Sequence, residues 1–466
     1  MASAAAANHG LVLQSCRRCC IFCLLLLFSR LSMKHSYLLA SLALLALPAV
    51  AQNPALNARI AQLAQAEETK VIAWRRDFHQ HPELGNEEKR TAGIVAAHLK
   101  KLGLEVQTGI GRTGVVGILK GGKPGPVVAL RADMDALPVT EATGLAFAST
   151  VKTTYLGQPV GVMHACGHDS HVAMLMGAAE VLSQVKKELS GTVKFIFQPA
   201  EEGSLPGVVG GAKLMIQEGV LDNPKVDAIF GLHINAQTEA GSLSYRPGGE
   251  MASADRFTIK VIGKGAHGAR PWNSVDPVVT AAQIIMGLQT IVSRQVNLTD
   301  DAAVVTVGTL KAGVRYNVIP DQVELTGTIR AFDKKTQEQI WAAVRRTAKG
   351  IAESAGATVE VGFEAYVPVT YNDPPLAARM LPTLQAVAGG ATNVREVKVN
   401  TWAEDFALYQ EKVPGLFVFV GGMRKGVDPA TTADHHTPGF TLDESGFTLG
   451  VKTLATLAAD YLAAPK

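Results

Sequence analysis

Between Asn57 and about Leu102 apolar residues recur every three or four positions, which predicts two amphipathic helices. The polar stretch HPELGNEE, residues 81–88, carries a proline and a glycine and reads as the break between them. Short runs of β-branched and aromatic residues follow: VVGILKGG (115–122), PVVALRAD (126–133), TVKFIFQPA (192–200) and DAIFGLH (227–233). These are strand patterns. Helical patterns at 171–189 and 209–219 separate the later ones. Strands alternating with helices predict an α/β domain with a mixed, mostly parallel sheet flanked by helices, whose polar strand ends gather into one crevice.

Near residue 249 the pattern changes. A strand in ADRFTIKVIGKGAHGA, a helix in DPVVTAAQIIMGLQTIVSRQ, strands in AAVVTVGTLKAG and QVELTGTIRAFD, a helix across 335–355 and a strand in ATVEVGFEAY follow in order. That is β-α-β-β-α-β, the ferredoxin-like order. From about 365 the α/β character resumes and includes the apolar run PGLFVFVGG. The expected organisation is an α/β domain of residues 55–248 and 365–466, interrupted by an inserted α+β domain at 249–364.

A chain of 466 residues exceeds what one core usually serves, in agreement with two domains. Net charge is only +3, so the chain lacks the concentrated basic charge of a nucleic-acid or anionic-membrane binder. Met33, Lys34 and His35 precede the apolar run YLLASLALLAL, which ends near Ala49-Val50-Ala51, the layout of a signal peptide at 33–51. The run is shorter than the ~20 apolar residues of a membrane span. The expectation is an exported protein, periplasmic or secreted, with no stable membrane span after cleavage. Residues 1–32 then form an N-terminal extension outside the native mature sequence. Four of the five cysteines, Cys16, Cys19, Cys20 and Cys23, fall in that extension, leaving Cys166 without an intrachain partner.

Cys166 stands in MHACGHDSH, where it alternates with His168, so both side chains can converge on one point. Such a pair suits a metal but equally describes ordinary core residues. Glu201 and Glu202 follow an apolar strand directly; adjacent carboxylates there repel unless a cation holds them, although a solvated turn is the plain alternative. One could hold a metal while the other activates water. His233 ends the run AIFGLH, and either His435 or His436 of ADHHTPGF could contribute from a later loop. In LRADMDALPV, Asp133 or Asp135 could orient a ligating imidazole, or merely cap a turn.

Taken together, RADMDALPV, HACGHD, PAEEG, GLH, GKGAHGARP, NVIPD, EDFA and HHTPGF resemble, in order and spacing, the M20 metallopeptidases. The match is to the amidohydrolase branch containing hippurate hydrolases, N-acyl-amino-acid amidohydrolases and auxin-conjugate hydrolases. It runs from about residue 58 to 462. The resemblance implies Cys166, His168, Glu202, His233 and His436 as metal ligands, Glu201 as general base and Asp135 as its companion acid. Five protein ligands imply two divalent ions bridged by the thiolate, zinc foremost, with manganese or cobalt as alternatives.

By the same resemblance, His267 and Asn317 of the inserted domain are the oxyanion and substrate-positioning groups. Arg330 clamps a substrate carboxylate, a task for a planar bidentate donor. The domain serves as lid and dimerisation surface in a homodimer. The implied activity is hydrolysis of the amide bond of N-acyl amino acids or dipeptide-like substrates by a metal-held water that Glu201 activates. An exported carboxypeptidase or dipeptidase acting on longer peptides, or a non-catalytic metal-binding protein of the same fold, are the alternatives.

Overall fold

The computed structural model describes residues 53–463 except 206 and 301. The expected signal peptide and the extension before it lie outside the described residues. Helix α1 (Pro54–Gln80) begins where the Asn53 side chain accepts the Leu56 N–H and Pro54 occupies the first turn. Both choices suit a helix start, where donors are spare. Its buried stripe of Leu56, Ile60, Ala64, Val71 and Phe78 enters the main core. After the break comes α2 (Lys89–Lys101), whose first N–H groups, those of Arg90 and Thr91, are taken by the Glu83 carboxylate.

The α/β part continues with β1 (Glu105–Ile110), β2 (Gly114–Lys120), β3 (Lys123–Asp133), α3 (His168–Val185), β4 (Ser190–Gln198), α4 (Gly211–Gln217), β5 (Ala228–Glu239) and β6 (Leu243–Tyr245). The inserted part holds β7 (Ala254–Ile262), α5 (Pro277–Gln295), β8 (Val304–Ala312), β9 (Gln322–Arg330), α6 (Lys334–Ser354) and β10 (Thr358–Val367). The chain returns through α7 (Pro374–Val387), β11 (Val394–Glu396), β12 (Gly415–Met423) and α8 (Phe447–Ala463).

The main sheet runs β1-β2-β4-β3-β5-β12-β6-β11. Its centre, β4-β3-β5-β12, is parallel, and β1 and β2 extend it antiparallel on one side. Because side chains alternate along a strand, Leu130, Phe195, Phe230 and Val418 enter a core with α1, α3 and α8. Ala129, Ile196, Ile229 and Phe417 enter a second core on the opposite face with Met215, Phe406 and Tyr409. Both faces are covered, which explains why these strands read as continuous apolar runs. One expectation needs correction: β5 does not end at His233 but continues to Glu239, because β12 pairs with it as far as Met423.

The inserted sheet runs β8-β9-β7-β10, all antiparallel. This is the ferredoxin-like arrangement, with α5 and α6 packed on Phe257, Ile259, Val261, Leu325 and Ile329. Asp276 and Asp333 accept N–H groups in the first turns of α5 and α6. Where the chain enters and leaves this part, Gly248–Met251 and Thr370–Asn372 pair antiparallel.

Candidate metal centre

Three central parallel strands bring candidate ligands to one place: Asp133 and Asp135 at and just past the end of β3, Glu201 and Glu202 just past β4, and His233 midway along β5. Cys166 precedes Gly167 and His168 begins α3. Gly167 has φ +99°, and an added Cβ would stand 2.6 Å from Ile234 Cγ2, so only glycine lets the chain turn there. The turn aims Cys166 and His168 at the same point. Sγ of Cys166 and ring nitrogens of His168 and His233 all lie within 4.8 Å of one another, and the same holds for Cys166, Glu202 and His436. Cys166 belongs to both groups.

Hydrogen bonds sort the histidines. His233 Nδ1 donates to the Ile234 carbonyl at 2.6 Å, leaving Nε2 facing Cys166 Sγ at 3.4 Å. Burial, with His171 and His435 nearby, holds the His233 pKa well below its usual value, so the ring is neutral and ready to ligate. His171 is spent: Nδ1 donates to Asp133 at 2.6 Å and Nε2 accepts the Ile234 N–H at 2.8 Å. His435 is spent as well, with Nε2 accepting the Ala236 N–H at 3.1 Å and Nδ1 3.2 Å from the Cys166 carbonyl. His436 instead points Nε2 at Cys166 Sγ (3.2 Å) and Glu202 Oε1 (3.1 Å). Of the adjacent pair, His436 is therefore the one with a nitrogen to offer.

The two aspartates separate in the same way. Asp133 is taken up by His171 and, at 2.6 Å, by Arg131. Asp135 accepts the backbone N–H groups of Glu201 and Glu202 at 3.0 Å each and stands 3.3 Å from His168 Nδ1. Sequence reasoning missed the group behind Glu201. Arg131, 1% exposed, donates to Asp133, Gln198, Glu404 and Asp405. An arginine inside an apolar strand was the available signal, since a buried guanidinium needs anionic partners.

The electrostatics ask for a cation. Burial raises the Glu201 pKa well above the carboxylate range, and Glu404, Glu202 and Asp405 add to this against Arg131. Burial likewise pushes the Cys166 thiol well up, followed by Glu202 and Glu201. For His168 burial pulls the other way, but the charges of Asp133 and Asp135 raise it to about 10. Its Nε2 is buried without a hydrogen-bond partner. A divalent ion meets all three demands at once, displacing protons from thiol and imidazole and offsetting the carboxylates. Thiolate, imidazole and carboxylate form a donor set that fits such an ion. A cavity of about 230 Å³ opens beside these residues, with Met251, Trp402 and Ala403 as its apolar wall.

The three residues expected from the inserted domain are not among those lining this cavity. His267 is exposed on a short strand paired with Val318–Ile319, and its Nδ1 accepts the Ala269 N–H. Asn317 lies beside it, its carbonyl accepting the Gly268 N–H, and its side-chain oxygen is buried without a partner. Arg330 is half-buried at the end of β9, donating to Thr328 Oγ1 and the Ile329 carbonyl. The structure thus joins His267 to Asn317 but brings neither to the metal-ligating cluster of its own chain.

A mostly parallel sheet with paired ligand sets and a carboxylate at its strand ends defines a metal-dependent hydrolase. Residues 129–460 match peptidase family M20/M25/M40. The chain is 41% identical over 399 residues to an N-acetylcysteine deacetylase of Bacillus subtilis, covering 85% of this chain and 98% of that protein. It is 40% identical over 393 residues to thermostable carboxypeptidase 2 of Saccharolobus solfataricus, covering 84% and 95%. The Bacillus subtilis YXEP protein, a dinuclear metal-binding peptidase of the M20 family, superposes with a TM-score of 0.73 at 38% identity, over 86% of this chain and all of that one. The chain belongs to the M20/M25/M40 peptidase family and is an enzyme that acts on amide bonds.

Proposed function

We propose that the protein hydrolyses N-acyl amino acids with two divalent cations per subunit, zinc foremost, held by Cys166, His168, Glu202, His233 and His436. The observation that carries this reading is the double membership of Cys166. Its sulfur belongs both to the group with His168 and His233 and to the group with Glu202 and His436, so a thiolate there would stand within reach of both sets of donors. Cations bound there supply Lewis acidity, polarising the scissile carbonyl and acidifying water.

The chain's own residues do the rest. Glu201 takes the proton of the attacking water and returns it to the leaving amine. Asp135 fixes the backbone on which Glu201 and Glu202 are carried. Met251 and Trp402 offer an apolar wall to the acyl group or side chain. His267 and Asn317 serve the active site of a partner subunit in a homodimer formed through the inserted domain, and Arg330 clamps the substrate carboxylate. The exposed Val314, Tyr316 and Val318 on the same hairpin as Asn317 support a partner there. Export is proposed from the pattern at 33–51, outside the described residues.

The likeness to a carboxypeptidase favours a second reading, hydrolysis of longer peptides. The experiment that separates the two is a panel of N-acetyl, N-benzoyl and longer N-acyl amino acids, set beside short peptides, with enzyme reloaded with zinc, manganese or cobalt. Release of free amino acid from the N-acyl series supports the first reading. Cleavage of peptides alone overturns it in favour of the second, and no turnover at full loading leaves only metal binding.

A further inference from the structure

We propose that the segment Leu84–Glu88 is a cradle that sets the turn Ala200–Glu202, with Glu88 as the positioning residue for Glu201; this rests on the reading of Glu201 as the base. Glu88 is fully buried and stands at the N-cap place of α2, yet its side chain makes no cap bond there. Glu83 does that work for Arg90 and Thr91, so Glu88 is free to reach across. Its Oε1 accepts the N–H of Asn86 at 3.0 Å and of Ala200 at 2.9 Å, and its Oε2 accepts the Thr113 hydroxyl.

The next two N–H groups along the turn, those of Glu201 and Glu202, go to Asp135. Three consecutive donors are thus taken by two buried carboxylates from different elements. Ala200 has φ +51°, an uncommon state for a residue other than glycine, which persists where the surroundings over-determine it. The backbone beneath supplies more. A Cβ added to Gly85 would stand 2.8 Å from the Gly203 carbonyl and 3.1 Å from Ala200 Cα, so the turn rests directly on Gly85. Asn86 Nδ2 donates to Ser204 Oγ at 2.8 Å on the far side of the turn.

Burial and the charge of Asp135 push the Glu88 carboxyl up to about 7. The Asn86 and Ala200 N–H groups both meet one oxygen, Oε1, which can accept in either protonation state, so what Glu88 offers the turn is acceptor geometry, and a displaced base is costly, since misplacement by ~1 Å is worth ~100-fold in rate.

The test uses full-length, metal-loaded protein, reading kcat, KM, metal content by elemental analysis and thermal melting. Glu88→Ala should lower kcat at least ~10-fold with KM within about twofold, metal content unchanged and a cooperative melt. Glu88→Gln keeps a carbonyl for the Ala200 N–H and should recover kcat to within about threefold of wild type, while Glu88→Asp, charged but one methylene short, should not. Gly85→Ala should resemble Glu88→Ala. If Glu88→Ala does not fold, the contrast between Gln and Asp decides.

The proposal is overturned if Glu88→Ala keeps kcat within about twofold at full metal, if Asp rescues as well as Gln, or if lost activity simply follows lost metal or lost folded protein. Glu201→Gln, measured alongside, separates the two ideas. An active Glu201→Gln removes the base, whereas an inactive one beside an indifferent Glu88 series removes only the cradle.

Discussion

Nε2 of His436 stands 3.2 Å from Sγ of Cys166, although 270 positions of chain separate them. His435, the adjacent residue, has Nε2 taken by the Ala236 N–H and Nδ1 by the Cys166 carbonyl, 3.8 Å from the sulfur. Neighbouring histidines should therefore behave oppositely. Cys166→Ala and His436→Ala should each lose at least one equivalent of metal, and His435→Ala should retain the wild-type content. Elemental analysis after dialysis reads this directly; equal losses at 435 and 436 would contradict the assignment.

Glu201→Gln preserves size and hydrogen bonding but removes the proton acceptor. A fall in kcat of at least ~100-fold is expected, with metal retained. Near-normal turnover at full loading would take Glu201 out of the reaction.

His267 is exposed, and it does not line the cavity of its own subunit. On the proposed oxyanion role, His267→Ala should be nearly inactive yet fully metal-loaded, since losing one such donor costs ~100 to 1,000-fold. Mixing it with Glu201→Gln under conditions of subunit exchange should restore part of the activity, because one site in each mixed dimer unites an intact base with an intact histidine. Verified mixed dimers that remain inactive would confine His267 to its own chain or to no catalytic role.

A second buried network adjoins the candidate metal ligands through Asp169, next to His168. His79 bridges Asp169 Oδ2 at 2.8 Å and Glu141 Oε1 at 3.2 Å, and Arg75 Nε reaches Asp169 at 2.9 Å. Burial opposes ionisation of Glu141, but hydrogen bonds from His79, Thr143 and the Ser149 N–H hold its pKa below the usual value. A depressed carboxylate stabilises the fold above its unfolded pKa, and that contribution is lost as pH falls through the folded pKa. Glu141→Gln should therefore be less stable than wild type at pH 7, and the gap should narrow by about 1.4 kcal/mol per unit of depression on acidification. Melting curves from pH 7 down to pH 3 would show it; a constant gap would contradict the ionic account.

The strands of the main sheet were legible because both faces are buried, so Val128, Leu130, Phe195 and Phe197 form apolar runs between turn signals. The β-α-β-β-α-β order was legible for the opposite reason: half-buried strands such as β7 alternate cleanly. Choices between near neighbours were not. His435 and His436 share a loop without periodicity and both rings reach Cys166; the Ala236 N–H and the Cys166 carbonyl occupy the nitrogens of the first, while Nε2 of the second meets Cys166 Sγ and Glu202. Asp133 and Asp135 differ only in partners brought from elsewhere, the first tied to Arg131 and His171, the second to the Glu201–Glu202 backbone. Arg131 itself depends on Glu404, 273 positions away. Local pattern shows where a side chain points, while its meaning in a buried network depends on residues that only the folded chain assembles.

The paired strands Gly248–Met251 and Thr370–Asn372 place the point of departure beside the point of return, with Gly248 directly opposite Asn372. All five metal-ligating candidates and Glu201 lie outside the interval between them. The inserted part is thus a cassette clipped into a continuous sheet. A domain of different sequence can occupy this joint if its two ends lie one strand spacing apart, so the groups that this part brings to substrate and partner can diversify in evolution while the candidate metal ligands and Glu201 beneath keep their places.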